Sequence, residues 1–327
     1  MSSIHFAVPD LFLPPSIAAE ACRGLRLPAL EMLLARAGAE SLYEDALEDW
    51  LCAAFGVPGL AVAPVTLQAD GIEPGNYYWL RADPVHVVIR RNQMVVQDGV
   101  ALSAEEAGAL CAALDGHFAA DGLRFFAPHP QRWYVRLEAA PQLETTPLPR
   151  VVGEDACAHL PRGADALRWH KILNEIQMLL YAHPVNQARE ERGELPVNSV
   201  WLWGGGQARQ LAQPYPCLCG DSELAAAFVR PAGIACAEGM EQCVEGGGLV
   251  VYEALRHALR RGDLDAWRAG VQELEQNIAS SMRALRAGRI ERVTLDVLRE
   301  GAPRSFVLTR GDTWKLWRRP VSLPLCA

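Results

Sequence analysis

Residues 196–209 read PVNSVWLWGGGQAR, and two kinds of chemistry fit them. Glycines that follow an apolar strand expose backbone N–H groups able to hold an anion, a phosphate above all. The same run also serves where a strand meets a tight turn and binds nothing. Its spacing is not that of a dinucleotide fingerprint, and no clear helix opens after it. Just upstream, 183–195 reads HPVNQAREERGEL, with one imidazole, two amides and two guanidinium groups.

Other chemistries are excluded more firmly. The chain has two lysines, Lys171 and Lys315, and neither lies in a glycine-rich loop, so the ordinary P-loop is absent. GxSxG, HExxH and EF-hand patterns are absent as well. A net charge of -8 argues against a nucleic-acid binder, which needs a basic face. Between Arg256 and Arg319, however, fourteen Arg or Lys stand against eight Asp or Glu, read as a solvated face. Nine cysteines without a recognisable secretion signal suggest reduced thiols and a cytoplasmic protein. Cys217 and Cys219 form the one close pair; lacking partners at zinc-ligand spacing, they read as small buried residues. No apolar run is long enough to span a bilayer, so no membrane association is expected.

The elements that must position these residues alternate in type. The chain's 327 residues, half of them hydrophobic, suffice for about two domains. Strands are expected at 4–8, 77–82, 86–91, 132–137, 199–203, 249–252, 291–297 and 304–309, with a turn at Asp83-Pro84 between the second and third. Helices are expected at 27–38, from a Ser41–Glu44 capping box to 55, from a Ser103–Glu106 box onward, over 164–183 and over 263–288. In the last helix Trp267, Val271, Leu274, Ile278, Met282 and Leu285 recur at helical spacing, as a core face does. Such alternation predicts an α/β sheet covered on both faces.

Taken together, His183, Pro184, Asn186, Arg189, Gly193, Pro196, Asn198, Trp201, Trp203, Gly204 and Gly206 resemble a signature of the archaeal-type cofactor-independent phosphoglycerate mutases. Upstream, Arg90, Asn92, Glu106 and Ala107 resemble that family's arginine-asparagine stretch and the helix after it. Arg132 falls in a similar arginine position, and AGIACAEGM resembles a further family turn. In overall composition the chain is similar to the bacterial group of RpfE-type regulatory proteins, shortened relatives of these mutases.

The resemblance implies an alkaline-phosphatase-like α/β core, its sheet sandwiched by helices, interrupted by a smaller α+β insert. On that reading the core spans 1–66 and 182–327, and the insert 67–181. It also implies two divalent metals, manganese or zinc, beside a phosphoryl-carrying serine, with insert arginines holding phosphoglycerate. This sequence departs from the pattern at the metal site. Alignment places Arg256 and Arg260 where an Asp and a His ligand belong, while Glu253, Ala254, Gly262 and Asp263 match around them. Asp312 survives, but Thr313 stands in a His position. Asp10 matches the first Asp ligand, and Ser41 is the nearest residue to the missing nucleophile.

These departures predict a protein without a required metal, its remnant carboxylates compensated by Arg256 or Arg260. A regulatory or small-ligand-binding role follows, with Arg90, Asn92, Arg132, His183, Asn186, Arg189, Asn198, Trp201, Trp203, Gly204 and Gly206 as candidates for holding a phosphorylated acid. A protein partner is the other expected kind. The alternatives are an active mutase or phosphatase with a rearranged manganese or zinc site that recruits His257 or His183, and a structural protein with no small ligand.

Overall fold

A computed structural model describes residues 2–90 and 93–326. Its contacts divide the chain into two compact units, 1–56 with 211–327 and 57–210. These boundaries differ from the sequence reading, which divides the chain after 66 and 181. The whole 183–207 stretch lies in the second unit together with Arg90 and Arg132.

The chain begins with strand β1 (Ser3–Pro9), short helix α1 (Pro15–Ala21), helix α2 (Pro28–Arg36), strand β2 (Gly38–Ser41) and helix α3 (Leu47–Ala54). Ser41 therefore ends an exposed edge strand and caps no helix; α3 starts six residues later without a side-chain cap. The second unit holds α4 (Val62–Ala69), β3 (Tyr78–Arg90), β4 (Gln93–Gln97), α5 (Ala104–Phe118), β5 (Arg124–His129) and β6 (Arg132–Leu137). After these come α6 (Leu148–Val151), α7 (Ala166–Tyr181), α8 (Pro184–Glu191) and β7 (Ser199–Gln207). Returning to the first unit, the chain forms β8 (Cys217–Gly220), α9 (Glu223–Val229), β9 (Ala235–Cys236), α10 (Met240–Gly246), β10 (Gly248–Val251) and α11 (Ala254–Arg260). It ends with α12 (Leu264–Arg286), β11 (Arg292–Leu298) and β12 (Arg304–Thr309).

The first unit is built on a seven-stranded sheet in the order β2-β12-β11-β1-β10-β8-β9. β1 pairs in parallel with both β10 and β11, whereas β12 and β2 close one edge antiparallel. Its central strands are largely buried on both faces, so β10 reads as an unbroken apolar run and β1 as one interrupted by His5. On one face α2, α10 and α12 complete the core, and the expected Trp267–Leu285 stripe of α12 lies within it. On the other face His5 of β1 meets Trp50 of α3.

The second unit is antiparallel: β4-β3-β6-β5, with β7 also paired to β3. α5 and α7 pack on it around Trp133 and Trp169, both fully buried. The capping box of α5 is realised, with Ser103 and Glu106 each bonded to the other's backbone N–H. The turn expected at Asp83-Pro84 is absent, because β3 runs straight through both residues opposite β7. Pairing with β6 stops at Arg81, so that side of β3 carries no ladder where the proline lacks its N–H.

Candidate functional site

Ligands of parallel α/β sheets bind beyond the carboxyl ends of the strands. At that edge of the first unit, Asp10 follows β1, Glu253 follows β10, and Asp221 follows β8. Asp10 sits in the left-handed region at φ 57, a conformation that costs a residue with a Cβ and that Asp tolerates better than most. Asp221 accepts hydrogen bonds at 2.8 Å from the N–H groups of both Glu253 and Ala254, fixing the start of α11. Ser222 donates to Glu253 at 2.7 Å.

Into this edge α11 sends Arg256, which is buried, and α3 sends Glu48, which is 1 % exposed. The guanidinium NH1 donates to Oε1 of Glu48 at 2.7 Å. The same NH1 stands 3.7 Å from Oε1 of Glu253, and Nε stands 3.8 Å from Oδ2 of Asp10. One cation thus lies among three carboxylates. Burial is the largest single influence on the Glu48 carboxylate and works against it. The Arg256 charge, hydrogen bonds from Arg256 and the backbone, and the Arg260 charge together outweigh it and hold the pKa below the ordinary value. Burial dominates at Asp10 and raises its pKa, against the pull of Arg256 and Arg260. Burial likewise opposes the Arg256 charge, and its carboxylate neighbours reverse that effect and raise its pKa.

The sequence reading expects Arg256 or Arg260 to offset the remnant acids Asp10 and Asp312; Arg256 Nε stands 3.8 Å from Asp10 Oδ2, while its hydrogen bond goes to Glu48. The other expected member is elsewhere: Asp312 accepts from Thr309 N and Oγ1 and pairs with Lys315 at 2.5 Å, closing a local turn. Thr313 is buried, with its carbonyl bonded to Arg36. Arg260 is exposed on α11 and acts on Asp10 and Glu48 through its charge. His257 is exposed on α11, and His183 accepts from Val185 N as the cap of α8 in the second unit. Neither imidazole is a member of the carboxylate cluster. Glu48 escaped notice because EDALEDWL reads as the acidic first turn of a helix; nothing in its spacing marks one acid as buried.

Divalent metals are held by carboxylate, carbonyl or imidazole donors converging on one point. Here a guanidinium occupies the point on which the carboxylates converge, and among the described residues no cluster of His, Cys, Asp or Glu is arranged to hold an ion. The donor set does not fit a two-metal centre.

In the second unit, Ser199–Gln207 is one nine-residue strand rather than a strand ending in a loop. Gly204, Gly205 and Gly206 continue β7, and Gly206 faces Trp79 of β3. Each is crowded: a Cβ on Gly204 would meet Val62 of α4 at 3.2 Å, one on Gly205 would collide with Tyr78 and Leu80 of β3, and one on Gly206 would collide with Ala61, just before α4. Trp201 donates to the Thr146 carbonyl and Trp203 to Asp83, each with its ring buried. Asn186 bonds both backbone groups of Val197 and the Leu180 carbonyl, and Asn198 bonds both backbone groups of Val87.

The arginines divide. Arg189 is buried and donates to Glu106 and the Leu195 carbonyl; Arg132 grips Asp70 with two hydrogen bonds. Arg90 is exposed at the end of β3, beside a broad depression that Gln93, Asp98 and Leu195 also line. Asn92 lies outside the described residues. A further buried pair passed unnoticed in YWLRADPV. Arg81 holds Asp83 side-on with two bonds of 2.9 Å, and its guanidinium lies over the rings of Tyr134 and Trp203.

A largely parallel α/β sheet with charged groups gathered at its carboxyl edge, accompanied by an antiparallel unit, defines the class of this protein. The chain is similar to proteins described as 2,3-bisphosphoglycerate-independent phosphoglycerate mutases. It is 28% identical over 206 residues to the 2,3-bisphosphoglycerate-independent phosphoglycerate mutase of Methanosarcina mazei, covering 56% of this chain and 49% of that one. It is 31% identical over 169 residues to the enzyme of the same description from Methanothrix thermoacetophila, covering 46% and 42%. The matched regions thus span about half the length of these curated relatives or less. No family model matches. Among solved structures, the PH0037 protein from Pyrococcus horikoshii superposes with a TM-score of 0.54 over 94% of this chain and 87% of that one, at 11% identity, which shows likeness of fold. Among the described residues no helix is long and apolar enough to cross a membrane.

Proposed function

We propose that this chain is a phosphoglycerate-mutase relative that has given up phosphoryl transfer and serves as a regulatory or ligand-binding protein, requiring no metal and located in the cytoplasm. One observation carries the reading: Arg256 supplies, from inside the chain, the positive charge among Asp10, Glu48 and Glu253. Phosphoryl transfer by this chemistry needs a nucleophile and cations that contact the transferring group. A guanidinium already paired with a buried carboxylate is spent on the fold, and Ser41 lies on an edge strand.

A small phosphorylated acid, phosphoglycerate among them, is the proposed ligand. Arg90 is the candidate for contacting it, being exposed, while Arg132, Arg189, Asn186 and Asn198 are engaged in holding the second unit together.

Calorimetric titration of 3-phosphoglycerate into chelator-treated protein, repeated with manganese, tests both parts. Binding that is indifferent to manganese supports a metal-free ligand-binding protein. Turnover of phosphoglycerate that appears with manganese or zinc overturns the reading in favour of an enzyme. Silence in both titrations removes the small ligand and leaves a protein partner as the object of regulation.

A further inference from the structure

Residues 314–319 read WKLWRR and close the cation-rich stretch that the sequence marks out as a solvated face. That face also carries apolar bulk. Trp314, Leu316 and Trp317 are 68, 70 and 77 % exposed. Large apolar side chains scattered singly over a surface are ordinary, but here two indoles and a leucine are gathered in one short segment.

The backbone that carries them is pinned, so their exposure is not that of a loose segment. Before the patch, Thr313 is buried and its carbonyl accepts from Arg36 at 2.6 Å. Within it, Lys315 N and Arg318 N donate to the carbonyls of Asp312 and Lys315, closing successive turns. Arg318 NH1 reaches the carbonyls of Ala35 and Ala37, at the end of α2, at 3.3 and 3.4 Å. After it, Val321 N donates to the Glu31 carbonyl, and Leu323 enters the core of the first unit. Neighbouring residues on both sides are thus held by the fold, while the three apolar side chains between them stand in water. A surface ordered in advance gives up little entropy when a partner covers it.

Charge selects the partner. Arg318 and Arg319 follow the second indole and are exposed, whereas Lys315 is answered by Asp312 at 2.5 Å. Trp and Arg are also the side chains that dominate the energetics of protein interfaces. A membrane or a nucleic acid offers negative charge as an extended field, which acts on the whole chain and opposes its net charge of -8. The cations here are also fewer than the roughly four to eight of a lipid-binding cluster. A local run of carboxylates on a protein meets the arginines without that opposition.

We propose that Trp314, Leu316 and Trp317, with Arg318 and Arg319 beside them, form a docking surface for an acidic protein segment in which Asp or Glu is interspersed with large apolar residues. The apolar side chains of the partner cover the indoles, and its carboxylates pair with the guanidinium groups. The surface is the same whether or not the chain binds a phosphorylated acid.

The probe is a short fluorescein-labelled peptide in which Glu residues are interrupted by Leu and Phe, titrated with the full chain and read by anisotropy. Saturable binding is expected, weakening as salt is raised. The double variant Trp314→Ser with Trp317→Ser is expected to bind about tenfold more weakly, and Arg319→Glu likewise. These positions are exposed, so thermal unfolding is expected to be unchanged in both variants. Peptides with Ser in place of Leu and Phe, or Lys in place of Glu, are expected to lose most of the binding. Absence of binding, or binding that neither variant alters, overturns the proposal. Tighter attachment to phosphatidylserine vesicles or to oligothymidylate overturns it in favour of a lipid or nucleic-acid surface. A dimer seen by light scattering, and dissociated by the double Trp variant, overturns it in favour of a second copy of the chain. Phosphoglycerate binding is read in a separate titration, so its failure leaves each of these outcomes distinct.

Discussion

Arg256 and Glu48, 208 positions apart in the chain, share a 2.7 Å hydrogen bond with both side chains withdrawn from water. The bond ties α11 to α3 at the carboxyl edge of the sheet. Oε2 of Glu48 has no hydrogen-bond partner, so the carboxylate depends heavily on this one cation. Leaving either charge alone in the interior costs far more than the pair contributes.

Arg256→Met is therefore expected to destabilise the chain by about 3–5 kcal/mol, because Glu48 is left buried and uncompensated. The double variant Glu48→Gln with Arg256→Met is expected to recover most of that loss. Urea denaturation of the unaltered chain, Arg256→Met, Glu48→Gln and the double variant measures the coupling; a double loss equal to the sum of the two single losses would show that the pair carries none.

The pair also fixes an acid limit. Glu48 in the folded chain titrates below its ordinary value of 4.5, so its contribution is complete above that pH and is lost as pH falls through the folded value. The double variant, lacking the titrating group, is expected to show a shallower loss of stability over that acid range. Denaturation midpoints measured at a series of pH values from neutral downward compare the two slopes.

Gly206→Ala tests the role of the glycine run in β7. A methyl there meets Ala61, the residue before α4, so a loss of about 1–3 kcal/mol is expected from overpacking. Thermal unfolding measures it. A variant of unchanged stability that had lost affinity for phosphoglycerate would instead return this segment to the role of anion cradle.

Trp203→Phe keeps an aromatic face over Arg81 but removes the indole donor to Asp83. With the carboxylate buried, the expected cost is about 1–3 kcal/mol. Its measured coupling to Arg81→Met, obtained from the double variant, is expected to be large because both groups bond the same carboxylate.

Much of the architecture is legible in residue order, because long periodic elements carry their own signal. The α12 stripe and the α5 capping box are instances of it. The failures share a cause in tertiary context. The Ser41–Glu44 pattern has the spacing of the Ser103–Glu106 box, yet Ser41 is drawn into the sheet by pairing with Arg304 of β12. Asp83-Pro84 has the composition of a turn, but its carboxylate is occupied by Arg81 and Trp203 within a strand. At the candidate site, alignment brought out Arg256 and Asp10, whereas Glu48 and Glu253 become partners of that arginine only after the chain has folded.

The cation at the carboxyl edge is joined to the carboxylates by the polypeptide itself. A bound ion leaves its site at a rate set by its affinity, and its occupancy follows the free concentration outside. Arg256 has no such concentration; covalent connection gives it a fixed effective molarity at Glu48 wherever the chain is folded. The charge that Arg256 contributes to this edge therefore does not follow the free metal concentration, and no chelator can strip it.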